Sequence, residues 1–347
     1  MFGKLAGFRS PSWRDFVRQV GGILFGKLAE FCSASWRNFV RQVGKGALCF
    51  GGGARRAENS RGQSVAVYLC FFLLRVIIVS MEIGISTASY FPRLVTEDAM
   101  EQVALAGAKV SEVFFATHSE YTREFAAEVK KRADAGGVRI NSVHALTNQF
   151  EPELFGKGLR AHADALTTFT RVCEAGEVLG AKYYVLHGAT RLKPAVKYVF
   201  DYEFLASRVN KLCDIAQSHG ITLTYENVHW AYFSVPEYFE KLAPLCPRLG
   251  ATLDVKQAMQ SRLDYADFLR VMGSRLKTVH LCNWTESGKL VMPHSKEGVL
   301  DFKLLFKRLR DAGFDGACLI EVYSSCYNDF AEIARSLDYL NDIKTDL

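Results

Sequence analysis

The sequence has no Cys-x-x-Cys pair, no glycine-rich dinucleotide turn, and no apolar run long enough to span a bilayer. Its nine cysteines, at 32, 49, 70, 173, 213, 246, 282, 318 and 326, are odd in number, and several sit inside apolar runs such as Gly316-Ala-Cys-Leu-Ile320. That usage reads as free buried thiols in a reducing cytoplasm rather than a disulfide framework. The longest apolar run, Val65 to Ser80, has 16 residues, is broken by Arg75 and lies more than sixty residues from the start. A membrane helix needs about 20 residues and a secretory signal needs its apolar stretch near the start, so the run favours neither. The first candidate strand leads into Ile85-Ser-Thr-Ala-Ser89, which has no G-x-G-x-x-G, and this sets the dinucleotide-binding fold aside.

A net excess of basic charge is also missing from most of the chain. The formal net charge is +6, but residues 1–80 hold 12 Lys/Arg and 3 acids, a net of +9, leaving −3 for residues 81–347. Duplex binding relies on Lys and Arg neutralising phosphates, so a nucleic-acid partner is not expected. With 49% hydrophobic and 23% charged residues, the 347-residue chain can bury a sizeable core.

Residues 1–80 contain a direct repeat of period 23: positions 2–21 and 25–44 agree at 16 of 20 places. In each copy Trp, Phe, Val and Val (Trp13, Phe16, Val17, Val20; Trp36, Phe39, Val40, Val43) fall at helical spacing with Arg and Gln between them. Ser12 or Ser35 is a plausible cap for such a short amphipathic helix. A peripheral contact with anionic lipid is the less favoured reading of this segment. The preferred one is a dispensable basic extension, because Gly51-Gly-Gly-Ala-Arg-Arg56 breaks all periodicity and Met81 opens a segment complete in itself.

From Met81 onward, short β-branched runs alternate with helical patterns. Strands are expected at 82–86, 112–116, 139–144, 182–187, 222–226, 250–254, 278–281 and 317–322. Helices are expected near 96–107, 121–135, 158–179, 201–218, 235–243, 264–273, 301–312 and 327–343. Several end in a glycine suited to the left-handed terminal residue: Gly107, Gly136, Gly180, Gly220 and Gly313. Eight such pairs match the roughly 250 residues of a (β/α)8 TIM barrel, preceded here by the basic N-terminal extension.

Reacting groups in that architecture come from the C-terminal ends of strands. Those ends carry His144, His187, Glu226, Asp254, His280 and Glu321. The last four come from consecutive strands, so Glu, Asp, His and Glu converge on one rim. Three carboxylates without a basic partner would repel, and one divalent cation, Mn²⁺, Mg²⁺, Co²⁺ or Zn²⁺, would remove that cost. His144 and His187 could bind substrate, add ligands or pack as core histidines.

Residues 81–347 resemble the xylose isomerase-like TIM-barrel superfamily, in particular its sugar phosphate isomerase/epimerase members. The resemblance is carried, in order, by Ile83-Gly-Ile-Ser-Thr87, Tyr184-Val-Leu-His-Gly188, Leu223-Thr-Tyr-Glu-Asn227, Leu253-Asp-Val255, Val279-His-Leu281, Gly298-Val-Leu-Asp-Phe302 and Gly313-Phe-Asp-Gly-Ala-Cys-Leu-Ile-Glu321. It implies that Glu226, Asp254, His280 and Glu321 hold one metal ion. The same superfamily includes inosose dehydratases and endonuclease IV. Two departures, Gln257 where a histidine is frequent and Asn283 where an aspartate is frequent, argue against the trinuclear nuclease site.

The expected activity is a metal-dependent isomerase or epimerase acting on a small sugar, sugar phosphate or related polyol ketone through an enediolate. Glu226 and Glu321 would exchange protons from opposite faces, His144, His187 and Gln257 would hold hydroxyls, and Trp230 and Phe91 would supply apolar walls. An inosose dehydratase-like lyase is the nearest alternative. A nuclease or a non-catalytic barrel is a more distant one, and a homo-oligomer remains open.

Overall fold

In the computed structural model, residues 81–191 and 198–346 are described. The β-branched runs become eight parallel strands: β1 Glu82–Ser86, β2 Val110–Phe115, β3 Arg139–Ala145, β4 Tyr183–Leu186, β5 Thr222–Glu226, β6 Gly250–Asp254, β7 Leu276–Leu281 and β8 Ala317–Ile320. They close into a ring in the order β1-β8-β7-β6-β5-β4-β3-β2. The ring shuts where Glu82 to Ile85 of β1 pair in register with Ala317 to Ile320 of β8. This is a TIM barrel, as the strand count implies.

The longer helices are α1 Thr96–Leu105, α2 Arg123–Ala135, α3 Leu159–Leu179, α4 Tyr202–Ser218, α5 Pro236–Leu242, α6 Tyr265–Met272, α7 Phe302–Asp311 and α8 Ala331–Thr345, with short helices at Glu151–Leu154 and Val255–Gln260. Side-chain caps begin four of them: Thr122, Asp201, Asp264 and Asp301 each accept a first-turn backbone N–H. Gly107, Gly180, Gly220 and Gly313 have the positive φ expected of them. At the Gly136-Gly137 pair the left-handed residue is Gly137, since Gly136 still has helical angles. Helix α8 starts four residues later than its spacing suggests. Asp329 Oδ1 accepts the Ala331 N–H and Glu332 accepts those of Asn328 and Asp329, which fixes the first turn there.

Strand alternation sorts the side chains into two sets. Ile83, Val113, Val143, Leu223, Leu253, Val279 and Ile320 face the helices and join the main core. The opposite set fills the barrel in layers. Val110, Ala317 and Leu319 form a separate apolar plug at the bottom. Gly84 belongs to this level, where a Cβ would lie 2.1 Å from the Val110 carbonyl oxygen. Above it comes a hydroxyl layer: Thr252 donates to Thr224, and Asn141 to Thr278. The next inward positions, two residues further on, are Glu226, Asp254, His280 and Glu321.

The described cysteines, Cys173, Cys213, Cys246, Cys282, Cys318 and Cys326, are free, and all but Cys326 are buried. Among the described residues no helix is long and apolar enough to cross a membrane. The 23-residue repeat, the 16-residue apolar run and the expected boundary at residue 80 lie outside the described residues.

Candidate active site

Asp254 is held by the strand-to-helix turn that carries it. Asp254 ends β6 and caps the short helix Val255–Gln260, its Oδ1 accepting the Gln257 N–H at 2.9 Å. Asn227, just past β5, brackets the Asp254 backbone: its Oδ1 accepts the N–H and its Nδ2 donates to the carbonyl, both at 2.8 Å. With Oδ1 and the backbone fixed, Oδ2 is left for the barrel axis. There the ligand atoms of Glu226, Asp254, His280 and Glu321 lie within 4.8 Å of one another, all four residues buried.

His280 is the hub. Its Nδ1 is 2.6 Å from Glu321 Oε2, 3.3 Å from Glu226 Oε1 and 4.0 Å from Asp254 Oδ2. Its Nε2 is 3.3 Å from Glu112 Oε2 on β2. Glu112 is fully buried and also accepts from Ser86 at 3.1 Å and Ser142 at 2.7 Å. The arrangement matches a recurrent feature of metal-binding histidines, whose second ring nitrogen is anchored by a carboxylate.

The ring also contains a basic group. Lys256, the second residue of the short helix, is buried and folds back so that its Nζ donates to Asp254 Oδ2 and, at 3.2 Å, to Glu321 Oε1. The expectation that these carboxylates lack a basic partner is therefore corrected. The ammonium does not balance them all, because Glu112, Glu226, Asp254 and Glu321 crowd one region. Burial and the neighbouring Glu226 and Glu321 outweigh Lys256 and push the Asp254 carboxyl up to about 6. At Glu226 burial acts upward too, but His187 and His280 more than reverse it and leave the carboxyl below the ordinary range. Burial alone would lower His280, and Glu321, Glu112 and Glu226 hold it well above its usual value.

The donor set fits a divalent cation. Three carboxylates and one imidazole nitrogen suit Mn²⁺, Mg²⁺, Co²⁺ or Zn²⁺. Moreover, Glu226 Oε2 and Glu321 Oε2 are buried without a hydrogen bond, although each lies close to an imidazole nitrogen. Such crowding without hydrogen-bond alignment is the arrangement in which carboxylate and imidazole lone pairs can point at a shared cation.

The expected substrate residues divide. His144 and His187 sit beside the ring, their centroids 4.4 Å apart, with His187 Nε2 2.7 Å from Glu226 Oε2. Both ring nitrogens of His144 lack a hydrogen bond. Edge contacts extend this pair into a wall, from Trp230 on His187 to Phe114 on His144 and Phe91 on Phe114. Gln257 also borders the ring, but its side-chain oxygen accepts from the His229 backbone at 3.2 Å and lies 2.6 Å from His229 Nδ1. Glu151 was not anticipated: from beneath His187 it accepts the N–H groups of His187 and Gly188 and the Tyr184 hydroxyl.

A closed parallel barrel defines a TIM-barrel protein, and the acid and imidazole cluster at its C-terminal rim could hold a metal ion. The chain belongs to the xylose isomerase-like TIM barrel family, whose pattern matches residues 100–343. No match to a curated protein was found by sequence. Among solved structures it is similar to D-psicose 3-epimerase from Clostridium cellulolyticum H10 with D-tagatose, at 15% identity and TM-score 0.62 over 77% of this chain and 99% of that one. It is also similar to apo 3-keto-D-glucoside 4-epimerase from E. coli (18%, TM-score 0.62, 76% and 100%) and to an L-ribulose 3-epimerase (15%, TM-score 0.64, 77% and 95%). At these identities the similarity speaks for the fold.

Proposed function

We propose that the protein is a metal-dependent isomerase or epimerase acting on a small sugar, sugar phosphate or related polyol ketone. The observation that carries this reading is the convergence of Glu226, Asp254, His280 and Glu321, with one oxygen of each glutamate buried and without an aligned hydrogen bond. The fold neighbours that are sugar epimerases support the same substrate class.

A divalent ion held by these four residues would supply a positive charge that stabilises the oxyanion of an enediolate. The proton transfers fall to the chain's own groups. Glu226 on β5 and Glu321 beyond β8 stand on opposite sides of β6 and β7, so one can take a proton from carbon while the other returns one from the opposite face. His187 steadies Glu226 at Oε2. His144, whose Nδ1 lies 3.5 Å from Glu112 Oε1, has no aligned hydrogen bond at either ring nitrogen and is suited to a sugar hydroxyl. Phe91, Phe114 and Trp230 offer apolar faces for its C–H edge.

The test is elemental analysis followed by a screen of keto sugars, inosose and their phosphates in D₂O. We expect about one divalent ion per chain and deuterium appearing at the carbon beside the carbonyl as the epimer or isomer forms. About three zinc ions with cleavage of abasic DNA, or metal-loaded protein that exchanges no C–H proton on any candidate, would overturn it.

A further inference from the structure

Lys256 is not a surface group that has strayed inward. Its side chain is 1% exposed, and the Tyr323 ring covers the ammonium with its centroid 5.5 Å away. The arm leaves from the first turn of the short helix behind β6 and returns to the ring, so the helix that Asp254 caps also delivers the lysine. Its two acceptors, Asp254 Oδ2 and Glu321 Oε1, belong to the proposed ion's own ligands. Glu226 and His280 form the other half of the ring, beyond the ammonium's contacts. A carboxylate lone pair that accepts an ammonium proton is not available to a metal, and two cations within a few ångströms in a buried site repel strongly.

We infer that Lys256 is an internal cation that competes with a divalent ion for Asp254 and Glu321, so that metal loading requires the lysine arm to withdraw. This rests on the metal site proposed above. Without metal, the ammonium offsets part of the charge of the buried carboxylates. An incoming ion can first engage Glu226 and His280, which the ammonium does not contact, and completes its shell only as Lys256 yields. The affinity of the site is thereby reduced, and bound metal exchanges readily.

The experiment measures Mn²⁺ binding by titration calorimetry to chelator-stripped full-length protein, for wild type, Lys256→Met and Lys256→Gln. Methionine keeps the length of the arm and glutamine keeps a polar head, while both remove the charge. Both variants should bind Mn²⁺ at least tenfold more tightly than wild type, and their melting temperature should rise more on adding Mn²⁺ than that of wild type. A variant that folds only when Mn²⁺ is supplied would also support the inference, since the ion then takes over the ammonium's place. Equal affinity in all three proteins would overturn the role of Lys256 and leave the metal reading standing. No Mn²⁺ binding by wild type or by folded variants would overturn both. Variants that stay unfolded in chelator and in excess Mn²⁺ alike would overturn the competition, because the ion would be unable to replace the ammonium.

Discussion

At the scale of single residues, the site separates groups that would react from groups that position them. Glu321 touches both His280 and Lys256 and has one oxygen without a hydrogen bond. Glu321→Gln keeps the shape but removes the charge and the proton acceptor, so turnover on the identified substrate should fall by roughly 10² to 10⁴ with an unchanged circular dichroism spectrum. A rate near wild type would remove Glu321 from the chemistry. Glu112 acts one step away. It fixes His280 Nε2, so Glu112→Gln should weaken Mn²⁺ binding about 10- to 100-fold by the usual cost of losing such an anchor, read by the same calorimetry. Unchanged affinity would show that His280 needs no help in presenting Nδ1. The two glutamates were not equally legible. Glu321 closes the apolar run Ala317 to Ile320 and reads directly as a strand end. Glu112 was expected to open its strand, whereas β2 begins at Val110, which makes Glu112 the third residue and turns it inward. An acid within Val-Ser-Glu-Val-Phe-Phe was the available signal.

At the scale of elements, turns decide what the strands present. Reading only the last residue of each strand found Asp254 and passed over Lys256, because a lysine two residues into a helix ordinarily reaches solvent. What reverses it is the unusually short helix Val255–Gln260 and the negative ring behind it, and neither shows in spacing alone. The same limit applies to the contact that Gln257 makes through its amide oxygen with His229, which its position, read as that of a hydroxyl ligand, does not reveal. The start of α8 is a second case, and it yields a prediction. Glu332 accepts the N–H groups of Asn328 and Asp329, and these bonds hold its carboxyl below the ordinary value. A depressed carboxyl contributes stability that is present above its unfolded value of about 4.3 and is lost as pH falls through the lower folded one. The group is mostly solvated, so its contribution is discounted to about 0.5 kcal/mol. Glu332→Gln should therefore be less stable by about that amount in urea unfolding at pH 7, and the gap should narrow as pH falls below about 4. A gap that stays constant across this range would mean that the charge plays no part in the cap.

At the scale of the whole molecule, the architecture was the most legible property, because eight alternations of period 2 and period 3.6 leave few ways to bury both faces of a parallel sheet. Three strands, Glu82–Ser86, Thr222–Glu226 and Gly250–Asp254, have the expected bounds, since turn residues or a charged end fix each. Closure itself is not written in any one segment; it follows from Glu82 to Ile85 finding Ala317 to Ile320 more than two hundred residues away. That pairing leaves no barrel strand edge open to receive another strand. The apolar plug, the hydroxyl layer and the charged ring are likewise supplied from within residues 81–346. We therefore expect a chain beginning at Met81 to fold by itself, with a single cooperative thermal transition, the Mn²⁺ affinity of the full-length protein and its full activity on the identified substrate. The comparison also tests the basic segment: if it contributes only charge and amphipathic surface, removing its net +9 should change binding to anionic vesicles and leave the melting temperature alone. Aggregation of the shortened chain, or a melting temperature well below that of the full-length protein, would place residues 1–80 within the cooperative fold.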